Sequence, residues 1–231
     1  MGLNEKFFAS AAAGVPVANL KLHLDASDTN SYSGTGSTWF DLTANNEDGT
    51  ISGATWNNGG YFSFDGSNDY VQISPIPSTV QTDAIITAEA WINPISATNN
   101  SIISFRGAGG SSVKFFFAAT NQGKLYLVSS FNTTVLFGTT ASNTVPVNSW
   151  SHVVASINYT TQQYYIYVNG VEKTSGSTGT LRGASTFGAT SFFIGANLSN
   201  VQNSNLNISK VRIYDIALTS TEIETLHNEG R

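Results

Sequence analysis

From Ala18 onward the apolar residues recur at every second position, and a period of two confines the chain to β structure. Leu20, Leu22 and Leu24 alternate with Lys21 and His23. Ile86, Ala88, Ala90 and Ile92 alternate with Thr87, Glu89 and Trp91. The same alternation returns over 153–158, 164–171 and 210–215, with shorter strand-like runs at 61–64, 70–74, 101–106, 113–119, 124–129 and 191–195. Successive side chains of a strand point to opposite faces, so such runs suit strands with one face in a core. Turn residues punctuate them: Asn57-Asn58-Gly59-Gly60, Asp65-Gly66, Asn121-Gln122-Gly123 and Asn169-Gly170. Asn-Gly is the strongest hairpin signal, because a type I′ turn needs positive φ at both central residues. Many short strands spaced this way predict an all-β, two-sheet antiparallel sandwich of jelly-roll type.

One helix is expected, at the C-terminal end. Thr219 as N-cap and Glu222 three residues later form a capping box. Leu218 and Ile223 form the hydrophobic staple around it, and Gly230 marks the stop. Residues 1–17 break the pattern, with an Ala-rich stretch ending near Pro16. They read as an N-terminal arm before a domain spanning 18–231. They do not read as a signal peptide, because Glu5 and Lys6 precede a short apolar run broken by Ser10, Gly14 and Pro16. Leu3, Phe7 and Phe8 are the arm residues suited to plug a neighbour's groove.

Composition narrows function. Only 11% of the 231 residues are charged, the net charge is −5, and there is no cysteine. Absence of Cys excludes a disulfide framework, a Cys-ligated metal and a thiol nucleophile. Ten scattered Lys and Arg on an acidic chain form no basic stripe, so nucleic acid is not an expected partner. No apolar run approaches the roughly 18 residues of a spanning helix, so no membrane partner is expected. Ser, Thr and Asn fill roughly a third of the chain, above ordinary usage, and give a neutral, hydrogen-bonding exterior.

Seven segments, taken in order, resemble the laminin-G-like jelly rolls of the concanavalin A-like lectin/glucanase superfamily. They are Leu22–Asp25 with Trp39-Phe40-Asp41-Leu42 and Asp48-Gly49-Thr50, Gly60–Val71 (GYFSFDGSNDYV), Ile86–Pro94 (ITAEAWINP), Pro146–Val154 (PVNSWSHVV), Tyr165–Gly170 (YIYVNG), Phe193–Asn197 (FIGAN) and Ile208–Leu218 (ISKVRIYDIAL). The resemblance implies two antiparallel sheets packed face to face, one of them concave. The opening run Leu22–Thr43 is similar to versions of this domain in phage virion proteins.

The glucanase relatives carry paired acids on one strand, in a Glu-x-Asp-x-x-Glu type run. Retaining glycosidases need two carboxylates about 5–5.5 Å apart. Here Glu89 stands between Ala88 and Ala90, and Glu172 stands alone near a hairpin. No catalytic residue is therefore assigned, and a glycoside hydrolase is disfavoured. His23, His152 and His227 are dispersed, and His152 reads as a hydrogen-bonded residue of the sandwich. Asp65, Asn68 and Asp69 flank a tight turn and are weak Ca²⁺ candidates. The favoured reading is that they bond their own turn, so no metal or other cofactor is expected. The relatives' acid is replaced by Ser209, which weakens any calcium site further.

Sugar binding needs an exposed ring beside amides. Trp56, with Asn57 and Asn58, and Tyr32 in a Ser/Gly loop are the candidates; the other tryptophans read as core. Two functions follow as expectations. One is a non-enzymatic virion protein, a capsid decoration or tail-associated subunit. It would be present in many copies and docked to neighbouring virion proteins by residues 1–17, giving avidity for weak external ligands. The other is a carbohydrate-binding module, extracellular or at a cell surface.

Overall fold

The computed structural model describes residues 15–76, 84–107, 113–131, 134–177, 189–198 and 201–231. Leu3, Phe7 and Phe8 lie outside these residues. The strands in chain order begin with β1 (Leu20–Asp25), β2 (Thr38–Trp39), β3 (Gly49–Ser52), β4 (Thr55–Asn57), β5 (Tyr61–Asp65) and β6 (Tyr70–Ile73). Next come β7 (Ile85–Pro94), β8 (Asn100–Arg106), β9 (Val113–Ala119), β10 (Leu125–Phe131), β11 (Thr134–Thr139) and β12 (Ser151–Asn158). Last are β13 (Gln163–Val168), β14 (Val171–Ser177), β15 (Ser191–Ile194), β16 (Ala196–Leu198), β17 (Val201–Asn203) and β18 (Asn205–Tyr214). One helix follows, α1 (Ser220–Glu229).

Two eight-stranded sheets form the sandwich. The first runs β14-β13-β12-β7-β18-β5-β4, with β1 also paired to β18. The second runs β11-β10-β9-β8-β15-β6-β3-β2. β18 organises the first sheet. One edge pairs with β7 along its length. The other pairs with β5 through Asn205–Ile208 and with β1 through Lys210–Tyr214. A bulge at Ser209 separates the two halves, and the Ser209 hydroxyl donates to the Gly60 carbonyl at 2.7 Å. The Asn169-Gly170 turn has φ of 50° and 74°, the signs a type I′ turn requires.

The alternation sorts side chains as the sequence predicts. Leu22, Leu24, Ala88, Ala90, Ile92, Val153, Ala155, Val211 and Ile213 turn inward from the first sheet. They meet Phe105, Phe115, Phe117, Phe192 and Ile194 of the second. Trp39, Phe62 and Phe64 are fully buried between them. Each such ring contributes about 1.5–3 kcal/mol by leaving water. Helix α1 covers part of the first sheet's outer face. Ile223 and Leu226 pack on Val154, Tyr167, Tyr214, Leu218 and Val15. The capping box is complete: the Thr219 hydroxyl accepts from the Glu222 N–H, and the Glu222 carboxylate accepts from the Thr219 N–H. Among the described residues no helix is long and apolar enough to cross a membrane.

Candidate functional site

Helix α1 lies over the half of the outer face that carries Glu89, His152 and Arg212. The other half carries a row of small polar side chains running across four strands. The register sets Asn207 of β18 opposite Asn93 of β7 and opposite Ser63 of β5. It sets Asn57 of β4 opposite Tyr61. The Asn57 amide donates to the Ser63 hydroxyl at 3.0 Å, and that hydroxyl donates to Asn207 Oδ1 at 2.7 Å. The chain of bonds fixes Ser63 and Asn207 in one orientation. Asn93 is half-buried, and its Oδ1 is buried without a hydrogen-bond partner. A buried acceptor left unpaired costs about 1–3 kcal/mol, so a donor arriving from outside gains more here than at a solvated group.

Aromatic rings border the row. β12 sets Ser151 opposite Ile92, which brings Trp150 level with Asn93. Tyr61, two residues before Ser63 on the same strand face, meets Trp150 edge-on with centroids 5.5 Å apart. Both rings are half-buried. The Arg231 guanidinium lies over Trp150 at 4.2 Å and over Tyr61 at 5.7 Å. The patch thus combines half-exposed ring surface, fixed amide and hydroxyl groups and one cation. This set recognises hydroxyl-rich, weakly polar ligands: rings take C–H faces, and amides take hydroxyls.

The covered half holds a buried charge network. Glu89 is fully buried, with one oxygen 3.1 Å from His152 Nε2 and the other 3.4 Å from Arg212. Arg212 also binds Glu229 of α1 at 2.7 Å. Burial pushes the Glu89 carboxyl up, but Arg212 and the His152 hydrogen bond outweigh it and hold the pKa down at about 2. Glu89, isolated along its own strand, thus finds partners on β12 and β18. Its place under the helix keeps it from bulk solvent, and Arg212 neutralises both Glu89 and Glu229. Neither acid is poised to donate a proton, which general acid catalysis requires. His152 is buried and hydrogen-bonded, as expected from its run.

The expected ligand residues separate. Trp56 and Asn57 are adjacent, so the strand points them to opposite faces. Asn57 joins the polar row. Trp56 turns inward opposite Phe62, packs on the core, and donates from Nε1 to the Ala26 carbonyl at 3.0 Å. Asn58 is exposed at the turn beyond the row. Tyr32, expected as an exposed ring, is only 6% exposed and packs edge-on against Phe62. Its hydroxyl bonds the Gly36 carbonyl. It belongs to the core because the Ser/Gly loop folds back over β4 and β5. At the acidic turn, Asp65 accepts from the Ser67 N–H at 2.8 Å and Asp69 accepts from the Asp65 N–H at 2.9 Å. Asn68 is exposed there. Among the described residues no group of three or more His, Cys, Asp or Glu is placed to hold a metal ion. Asn93, Ser63, Asn207 and Trp150 were not singled out as ligand residues. Their outward parity is legible in the strands, but their meeting depends on long-range register.

Residues 65–224 match the family model described as the concanavalin A-like lectin/glucanases superfamily, in its laminin-G version. A search of curated proteins gives no match. Among solved structures, the chain is similar to Trypanosoma rangeli sialidase in complex with sialic acid. Identity is 18% and the TM-score 0.70, over 96% of this chain and 36% of that one. The same sialidase as a covalent intermediate with 2,3-difluorosialic acid gives 20% identity and a TM-score of 0.71, over 94% and 34%. The binding domain of botulinum neurotoxin serotype D gives 15% identity and a TM-score of 0.69, over 93% and 52%. The chain spans about a third of the sialidase and about half of the toxin domain. At these identities the likeness is one of fold.

Proposed function

The chain belongs to the concanavalin A-like lectin/glucanases superfamily, and from that premise we propose that it is a non-catalytic, lectin-like module that binds carbohydrate on the open half of the first sheet's outer face. The observation that carries this reading is the row Asn57–Ser63–Asn207–Asn93 beside the half-exposed Trp150 and Tyr61. Asn93 Oδ1 supplies an acceptor for a sugar hydroxyl, and Trp150 supplies a ring for a pyranose face. The solved structures lend support of a general kind: one neighbour is held with a sugar acid, and another is a binding domain. The non-catalytic part rests on Glu89, whose carboxylate is enclosed and paired.

The test is a high-density glycan array probed with the full chain, followed by titration of the best ligand. Trp150→Ala is expected to weaken binding about tenfold, equivalent to ~1.4 kcal/mol, with the thermal midpoint little changed. Absence of binding to every glycan at high density argues against the module. Polysaccharide cleavage abolished by changing one carboxylate would replace it with a hydrolase. Display on a virion gains no support from these matches. Docking through residues 1–17 is tested by deleting them and measuring particle occupancy, and unchanged occupancy counts against it.

A further inference from the structure

A crevice of about 230 Å³ opens beside β1, lined among others by Val17, Leu20, Lys21, His23, Leu42 and Asn45. It has room for about seven waters at roughly 30 Å³ each. Val17 and Asn45 stand exposed at its mouth, and Leu20, Lys21 and Leu42 are half-buried along its walls. His23 is 5% exposed, and its Nε2 is buried with no hydrogen-bond partner. We propose that this crevice is a second ligand site, taking one neutral hydroxylated ring of pyranose size, with His23 Nε2 bonding a ring hydroxyl. The proposal goes beyond the amide row, which lies on the other flank of β18.

Three features select this ligand class. The first is the unpaired imidazole nitrogen. Burial and the Arg212 charge hold the His23 pKa down to about 3, so the ring is neutral at pH 7 and suited to a hydroxyl partner. The second is charge balance. Lys21 is bound to Asp215 at 2.7 Å, and the Asn19 amide also donates to Asp215 at 2.8 Å. An ionic ligand would have to break that pair, whereas a neutral one leaves it intact. The third is the wall: Val17, Leu20 and Leu42 offer aliphatic surface for a C–H face, while the Asn45 amide, already donating to the Lys21 carbonyl at 2.8 Å, holds the rim in place.

The experiment follows the histidine ring nitrogens by long-range ¹H–¹⁵N NMR at pH 7. The full chain is titrated to 50 mM with the methyl glycosides of glucose, galactose, mannose and N-acetylglucosamine. At least one sugar is expected to move the His23 signals saturably, with those of His152 and His227 unmoved. Leu42→Trp fills the crevice from its wall and keeps the backbone bond from the Leu42 N–H to the His23 carbonyl; it should weaken the response at least tenfold. Trp150→Ala should leave the response unchanged, which separates this site from the outer-face site. If no sugar moves His23, or if the shift survives Leu42→Trp, the crevice is not a sugar site. Both results are readable whatever the array shows.

Discussion

Glu89 shows what the local sequence withholds at the scale of a residue. Its flanking alanines mark it as isolated, yet His152 lies 63 positions away and Arg212 lies 123 positions away in the chain. Only the antiparallel register brings them together. Removing one partner of a buried pair leaves the other charge without compensation, which costs about 3–5 kcal/mol. Glu89→Ala is therefore expected to lose at least about 3 kcal/mol in urea unfolding. A loss under 1 kcal/mol would mean that water already solvates the network. Trp56 gives the opposite lesson. Its inward direction was legible, because a strand cannot aim both Trp56 and Asn57 at one ligand. Grouping them by adjacency overlooked the parity that the same sequence displays elsewhere. Trp150 was passed over for the related reason that large aromatics in sandwich strands usually pack inward, and only its level with Asn93 shows it to border the polar row.

At the scale of elements, the helix and the hairpin were legible and the site was not. The Thr219–Glu222 box and the Asn169-Gly170 turn are encoded within four residues, so local chemistry suffices to find them. Thr219→Ala should cost about 1 kcal/mol and expose the helix end to exchange. Because α1 carries Glu229 to Arg212, fraying should also loosen the charge network, so the measured loss should exceed that of an isolated cap. Hydrogen exchange of the 220–229 amides reads this directly. An unchanged exchange pattern would mean that the apolar contacts of Ile223 and Leu226 hold the helix without its cap. The polar row, in contrast, depends on pairing β5 with β18, whose Ser63 and Asn207 stand 144 positions apart. Alternation predicts which face each residue takes but not which strand lies beside it.

At the scale of the whole molecule, the low charge acquires a pH signature. The neutral imidazole of His23, with a folded pKa of about 3 against an ordinary 6.5, contributes stability that is full above pH 6.5 and is lost as pH falls toward 3. Glu89, at about 2 against 4.5, adds a second loss as pH falls below 4.5. Glu47 runs the other way. Burial and the nearby Asp41 raise it to about 7, so its contribution is full below pH 4.5 and is lost as pH rises to 7. Glu47→Gln should therefore raise the thermal midpoint at pH 8 and leave it nearly unchanged at pH 4. An equal rise at both would show that charge is not the cause. The sandwich follows from periodicity and turns, and the family match agrees with it. Function sits in the few positions where two distant strands place amides beside a ring.

The central claim is that carbohydrate binds where Asn93, Asn207 and Ser63 meet Trp150. Backbone and side-chain amide shifts, mapped during titration with the strongest array ligand, test it most directly. The account predicts the largest shifts at the side-chain amides of Asn57, Asn93 and Asn207 and at the Trp150 indole, with the second sheet silent. Shifts centred on the second sheet, with the Trp150 indole unmoved, would contradict it.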